Sequence, residues 1–411
     1  MNENLLELAH RAEARCAGRF AEIDRIAFAN TEKVLAAFSE ERVQAGDFAG
    51  TTGYGYDDMG RDKLERIFAR VFGCESALVR TNFVNGTHAI ACAMFACVRP
   101  GQTLLSITGG VYDTLETVVG KRGCVPGSFA DYGIGYREVP LKNGAPDREA
   151  IRAAVAAPDV AAVFLQRSRG YGIRKTLSPE EIGELCALCK AAHPGVTVLV
   201  DNSYGEFVCE KEPVACGADL QAASLIKNPG GGLAPSGGYI AGRADLVERA
   251  AARMTLPGIG GECGATLGVN RSLYQGFFLA PHVTAQAVKT AAFCAGVLEE
   301  LGYRVSPASG EARYDIIQTI DFGDPKPLIE FCRGIQAASP VDSFASPEPG
   351  DMPGYEDPVI MAAGAFIQGS SIELSCDAPI RPPYTCYLQG GLTYEAGKLG
   401  ILRAAERMMR L

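Results

Sequence analysis

A lone lysine, Lys227, stands between the apolar run ASLI and the loop NPGGGLAPSGG. Lysine is among the residues least often buried. Carrying one to the end of an apolar run makes sense when its amine reacts. Asp201 ends another apolar run, VTVLV, so its carboxyl belongs at the edge of a core. Gly86 and Thr87, in the helical pattern NGTHAIACAMFACV, open a helix directly after a strand pattern and a short loop. Tyr112 follows TLLSITGGV, and Ser224 precedes the lysine by three positions. Taken singly, each residue has an ordinary role. An aspartate at a strand end caps a turn, NGT starts a helix, and a tyrosine packs. Their joint order along the chain is what points to chemistry.

Pyridoxal 5′-phosphate asks for this set. It takes a lysine amine as a Schiff base, a role Lys227 fills. It takes a carboxylate to keep the pyridine nitrogen protonated, which suits Asp201. A helix N-terminus with free N–H groups receives its phosphate, here at Gly86 and Thr87 with the Ser224 hydroxyl. An aromatic ring, Tyr112, stacks on the pyridine. The glycines after Lys227 let the backbone turn tightly at the cofactor edge.

The strands of a sheet must position these groups. Short apolar strand patterns at 75–81, 103–108, 160–168, 197–203, 222–227 and 237–242 alternate with helical patterns. That alternation predicts an α/β fold, a mostly parallel sheet sandwiched by helices. In such sheets ligand groups gather at the carboxyl ends of the strands. Residues 1–45 read as a helical arm, 46–290 as the large cofactor-binding domain and 291–411 as a smaller α+β domain. Residues 265–300 read as one long helix or two. YDIIQTIDF and SSIELSC are the strand patterns of the last part.

Composition excludes other classes. The 411 residues are 47% hydrophobic and carry a net charge of −9, without a long basic run. Nucleic acid and anionic membrane are poor partners for such a chain. No run approaches the roughly 18 apolar residues of a membrane span, and the N-terminal pattern lacks an apolar signal core. A cytoplasmic location with reduced thiols is expected. Cys186 and Cys189 form a CxxC without a second pair, which reads as helix packing, and His193 beside it reads as a helix-end residue. With four histidines and no acidic cluster at ligand spacing, no metal site is expected.

The strings GYGYDDMGRDKLERIFARVFG, RTNFVNGTHAI, GGVYDTLETVVG, FLQRSRGY, VDNSYGEFV, SLIKNPGGGLAPSGGYIAG, FIQGSSIELSCDAPIRPPY and LQGGLTYE carry a resemblance over nearly the whole chain. It resembles the pyridoxal-phosphate enzymes of cysteine and methionine metabolism, of aspartate aminotransferase-like fold type I. More closely, it is similar to the bacterial branch labelled aluminium-resistance protein or methionine γ-lyase family protein. The resemblance implies the roles given above for Lys227, Asp201, Gly86, Thr87 and Tyr112. It also implies that Tyr54 or Tyr56 reaches across a dimer to the neighbour's phosphate and substrate, with tetramers usual. Arg381, in APIRPPY, matches a holder of the substrate α-carboxylate, which a guanidinium suits. The resemblance also implies that Ser168 and Arg169, at a strand end, approach the cofactor's phenolic oxygen.

This chain departs from the well-studied lyases in three places. It has YGY where they carry tyrosine–serine–arginine, leaving Arg61 as the nearby cation. Ile226 replaces a threonine before the lysine. An asparagine motif is absent.

The expected reaction is β- or γ-elimination at the carbon–sulfur bond of a cystathionine- or methionine-like amino acid, giving thiol, ammonia and 2-oxo acid. Lys227 moves the Cα proton, and Tyr54, Tyr56 or Tyr112 is the candidate acid. An aldolase, a decarboxylase or an aminotransferase would share the lysine and the aspartate. A nucleotide-binding protein is disfavoured because GxxxxGK[ST] and a placed GxGxxG are absent. A non-catalytic metal-tolerance protein is disfavoured for want of ligand clusters.

Overall fold

The computed structural model describes residues 3–170, 172, 174–351 and 357–411. Tyr171, the last residue of the FLQRSRGY string, lies outside them. The chain divides into two compact units: Glu32–Leu225 with Leu233–Phe278, and Met1–Thr31 with Ile226–Gly232 and Leu279–Leu411. Helix α1 (Glu3–Glu40) starts in the second and ends in the first.

The first unit holds α2 (Met59–Phe72), β1 (Ser76–Arg80), α3 (Gly86–Cys97), β2 (Thr103–Ser106), the single turn α4 (Asp113–Glu116) and β3 (Gly135–Glu138). It continues with the small hairpin β4 (Leu141–Lys142) and β5 (Ala145–Pro146), then α5 (Arg148–Val155), β6 (Val160–Gln166), α6 (Pro179–Ala192), β7 (Thr197–Asp201), β8 (Leu220–Ser224), β9 (Gly238–Gly242) and α7 (Ala244–Met254). Seven strands form one sheet in the order β1-β9-β8-β7-β6-β2-β3. Only β9 runs against its neighbours, so the carboxyl ends of the other six share one edge.

The strand sequences explain the burial. Alternate residues point to opposite faces, and here both faces are apolar. Leu104, Phe164, Leu199 and Leu220 face one core with α3 and α7. Leu105, Val163, Leu165, Val198 and Val200 face the other, with α5 and α6. This is the unbroken apolar run of a doubly covered parallel sheet. Cys186 and Cys189 are buried in the second of these cores, and His193 is the C-cap of α6.

The second unit holds the single 31-residue helix α8 (Asn270–Glu300), which begins in the first, with Pro281 inside it. It adds β10 (Arg304–Ser306), β11 (Ile317–Asp321), α9 (Pro325–Ala338), β12 (Val359–Ala362), β13 (Ser375–Pro379), β14 (Thr385–Gln389) and α10 (Tyr394–Met408). Its five strands are antiparallel, in the order β10-β11-β14-β13-β12. Leu5, Leu8 and Ala12 of α1 join its core with Phe293, Phe331 and Leu388.

Two expected strands are shifted. The pattern at 222–227 stops at Ser224, because Leu225 N–H turns back to Gly237 O and Pro229 begins a 3-10 turn at Asn228–Gly230. Lys227 therefore lies beyond the strand. SSIELSC gives way to a strand at Ser375–Pro379, because Glu373 N–H is taken by the Ser371 hydroxyl in a turn. No helix among the described residues is long and apolar enough to cross a membrane.

Candidate active site

Three strands carry Gln166, Asp201 and Ala222 side by side at the carboxyl edge of the sheet. Asp201 is 5% exposed, and its Oδ1 accepts from Ser203 N–H at 3.0 Å. Ser224 ends the next strand and is buried. Helix α3 begins against it. Asn85 caps that helix, its side chain accepting from His88 N–H at 2.9 Å. Gly86 is the first helical residue, and a Cβ there would come within 2.6 Å of Ser224 Cβ. The missing side chain lets the helix N-terminus, with its free N–H groups, sit on the strand end. Thr87 Oγ1 lies 3.0 Å from Thr114 Oγ1. His88 Nδ1 accepts from Val84 N–H at 3.2 Å, and burial lowers the imidazole pKa, so this end of α3 carries a neutral ring.

Tyr112 precedes α4 and packs against the α3 core. Its ring also lies 3.5 Å from where a Cβ on Gly170 would be, and that same Cβ would meet Gln166 Nε2 at 2.9 Å. The sheet edge thus brings Gly86, Thr87, Tyr112, Asp201 and Ser224 into one region. Ser168 is buried there too, its carbonyl accepting from Gln166 Nε2 at 3.4 Å. Arg169 is also buried, and its carbonyl accepts from Arg174 Nε at 3.2 Å.

Behind Asp201 lies a buried polar network that the sequence reading missed. Arg167 is wholly buried; its Nη1 donates to Asn202 Oδ1 at 2.7 Å and lies 3.5 Å from Glu212 Oε2. Asn202 Nδ2 donates to Glu212 Oε2 at 2.8 Å, and Phe207 N–H to Glu212 Oε1 at 2.9 Å. Tyr239 donates to Glu206 Oε1 at 2.9 Å. Burial, then the Glu212 charge, pushes Glu206 up to about 8, so it keeps its proton at neutral pH. The network braces a strained loop: Tyr204 and Phe207 sit at φ +69° and +61°, where bulky residues are rare. Gly205 lies between them, with the Arg167 guanidinium 2.6 Å from where a Cβ would be. The available signal was an arginine at the end of an apolar strand pattern.

Tyr54 and Tyr56 lie on an exposed loop, rings stacked at 5.8 Å, Tyr54 being 75% exposed. Gly264 N–H donates to Tyr54 O at 2.9 Å. A hydrogen bond with Cys263 raises the Tyr56 phenol above its ordinary pKa. Arg61 is not a free cation. It is buried, and its Nη1 donates to Gly55 O at 2.6 Å and Gly264 O at 3.0 Å, so it pins this loop.

In the second unit, Lys227 precedes the Asn228–Gly230 turn, and its Nζ donates to Ser370 O at 2.9 Å. Ile226 O accepts from Ile372 N–H at 3.0 Å, tying the lysine's backbone to the 370–372 segment. Arg381 is an exposed residue; its Nη1 meets Asp357 Oδ2 at 3.2 Å, with the side chain 57% exposed.

The family model described as methionine gamma-lyase matches residues 5–409. The chain belongs to the methionine gamma-lyase family. Within this family-level likeness, it is 50% identical over 410 residues to the YnbB protein of Bacillus subtilis (strain 168), covering 99% of this chain and 97% of that one. It is also similar to a crystal structure described as a carbon-sulfur lyase involved in aluminum resistance from Clostridium novyi NT. That structure has 50% identity and a TM-score of 0.95, with 99% of this chain and 96% of that one covered. The structure of YhfS from Escherichia coli, described as pyridoxal-5′-phosphate dependent, shares the fold: TM-score 0.63 at 19% identity, over 95% of this chain and 97% of that one.

Proposed function

We propose that this methionine gamma-lyase family member is a pyridoxal-phosphate enzyme of fold type I. It breaks the carbon–sulfur bond of a small sulfur amino acid by β- or γ-elimination, releasing thiol, ammonia and a 2-oxo acid. The observation that carries this reading is the sheet edge, where the side-chain-free start of α3 rests on Ser224 beside the buried Asp201.

The residues fit the cofactor. Free N–H groups of α3 at Gly86 and Thr87, with the Ser224 hydroxyl, would hold its phosphate. Asp201 would face its ring nitrogen, and Tyr112 would lie on its ring. Lys227 would offer the amine its aldehyde takes. When bound, the cofactor supplies an electron sink for charge developing at the substrate Cα. The chain's own groups do the rest. Lys227 would take the Cα proton at Nζ, which requires an amine pKa below the ordinary lysine value. The Arg167–Asn202–Glu212 network fixes the backbone that follows Asp201. Arg381 holds the substrate carboxylate after exchanging Asp357 for it. Tyr54 and Tyr56, exposed in one chain, serve the site of a second copy, so the working form is at least a dimer and by family analogy a tetramer. The protein acts in the cytoplasm on free amino acids.

Product analysis with L-cystathionine, L-methionine and L-threonine tests the reading. Thiol and 2-oxo acid from a sulfur substrate are expected. Aldehyde and glycine from L-threonine, without elimination from either sulfur substrate, would replace the lyase by an aldolase on the same residues.

A further inference from the structure

Three cysteines from separate elements meet in the core of the second unit. Cys332 lies on α9, Cys376 on β13 and Cys386 on β14. Their Sγ atoms all lie within 4.8 Å of one another, and the Cys376 thiol donates to Cys332 Sγ at 3.6 Å. All three are wholly buried. In sequence Cys332 and Cys376 are 44 residues apart, so no linear motif announces the group.

The spacing has a chemical meaning. A metal–sulfur bond of about 2.3 Å places three sulfurs about 4 Å apart around a planar three-coordinate ion. The thiols converge to that spacing without a disulfide: all three are free. No fourth cysteine, histidine or carboxylate joins them among the described residues, and Phe331, Ile335, Ala378 and Leu388 of the same core are apolar. Structural zinc takes four ligands. Three soft donors in a dry pocket suit copper(I) instead.

We propose that Cys332, Cys376 and Cys386 form a three-coordinate site for a soft monovalent cation of the copper(I) class. Binding makes three sulfur–metal bonds and leaves the copper at +1. Each thiol gives up its proton to solvent as its sulfur–metal bond forms. The ion enters when α9 opens from the sheet or as the chain folds. This site lies outside the residues assigned to the lyase reaction and stands or falls apart from it.

The test uses the full chain as purified, with accessible thiols such as Cys124 first blocked by iodoacetamide. It is held anaerobically overnight with chelator-buffered copper(I) and desalted, and a second sample is prepared from cells grown with copper. The expected result is one retained copper(I) per chain in at least one preparation, with an all-sulfur first shell in X-ray absorption. Cys376→Ala and Cys386→Ala should lower the retained copper by about tenfold or more at unchanged circular dichroism. Where an alanine variant loses the native spectrum, Cys376→Ser decides in its place. No retained copper in either preparation, or equal retention by the variants, would overturn the site and leave three thiols that only pack.

Discussion

A Cβ placed on Gly86 would lie 2.6 Å from the Cβ of Ser224. The close approach sets the first turn of α3 on the end of β8, and the proposed phosphate seat depends on it. Gly86→Ala must push the helix start off the strand end. Cofactor affinity is expected to fall by about tenfold or more, or 1.4 kcal/mol, with little change in helix content. Absorbance titration with pyridoxal phosphate reads it. An unchanged Kd would remove Gly86 from the seat.

The loop after Asp201 is held closed by Arg167 lying on Gly205. A methyl group at Gly205 would sit 2.6 Å from Arg167 Cδ and Nη1. Arg167 is enclosed and has no room to withdraw. Gly205→Ala is expected to cost about 1–3 kcal/mol of stability by overpacking, measured by denaturant unfolding. A loss below about 0.5 kcal/mol would mean the loop yields easily.

Glu206 makes the fold sensitive to pH. In the folded chain it holds its proton up to about pH 8, because burial and Glu212 disfavour its charge. The unfolded chain releases that proton near the ordinary carboxylate value. Between those two values the folded state binds more protons, so stability falls as pH rises through the window. Glu206→Gln keeps an oxygen facing the Tyr239 hydroxyl and removes the titration. Its stability should decline less than the parent's between about pH 5 and pH 8, as read by urea unfolding across that range. Equal slopes in the two proteins would show that Glu206 does not titrate there.

Arg381 offers a separation of roles. Its ion pair with Asp357 is more than half exposed on the arginine side, so losing it should cost less than about 1 kcal/mol of stability. As the proposed holder of the substrate carboxylate, Arg381→Ala should raise KM for a sulfur amino acid far more than it lowers stability. An unchanged KM would leave it a surface ion pair.

Much of the sheet edge was legible because buried parallel strands write themselves as apolar runs, and a polar residue ending such a run stands out. Asp201 and the Gly86–Thr87 helix start were found that way. Lys227 was expected at the end of its strand and lies beyond it, because the Leu225 turn and Pro229 end the strand at Ser224. Arg167 was hidden because its partners, Asn202 and Glu212, come from other elements and no spacing links them. The role of Arg61 was hidden as well, since besides the nearby Gly55 carbonyl it donates to that of Gly264, 203 residues on. The strand at Thr385–Gln389 was obscured by the proline-rich stretch before it, and the three core thiols converge only once their sheet and α9 have formed.

The most direct test of the central claim is to find where the cofactor attaches. The purified protein is incubated with pyridoxal phosphate, reduced with borohydride, digested and mapped by mass spectrometry. One phosphopyridoxyl group on Lys227 is predicted, absent from Lys227→Ala together with any visible absorption band of the bound cofactor. A protein that takes up no cofactor, or carries it on another lysine with Lys227 unmodified, would contradict the account.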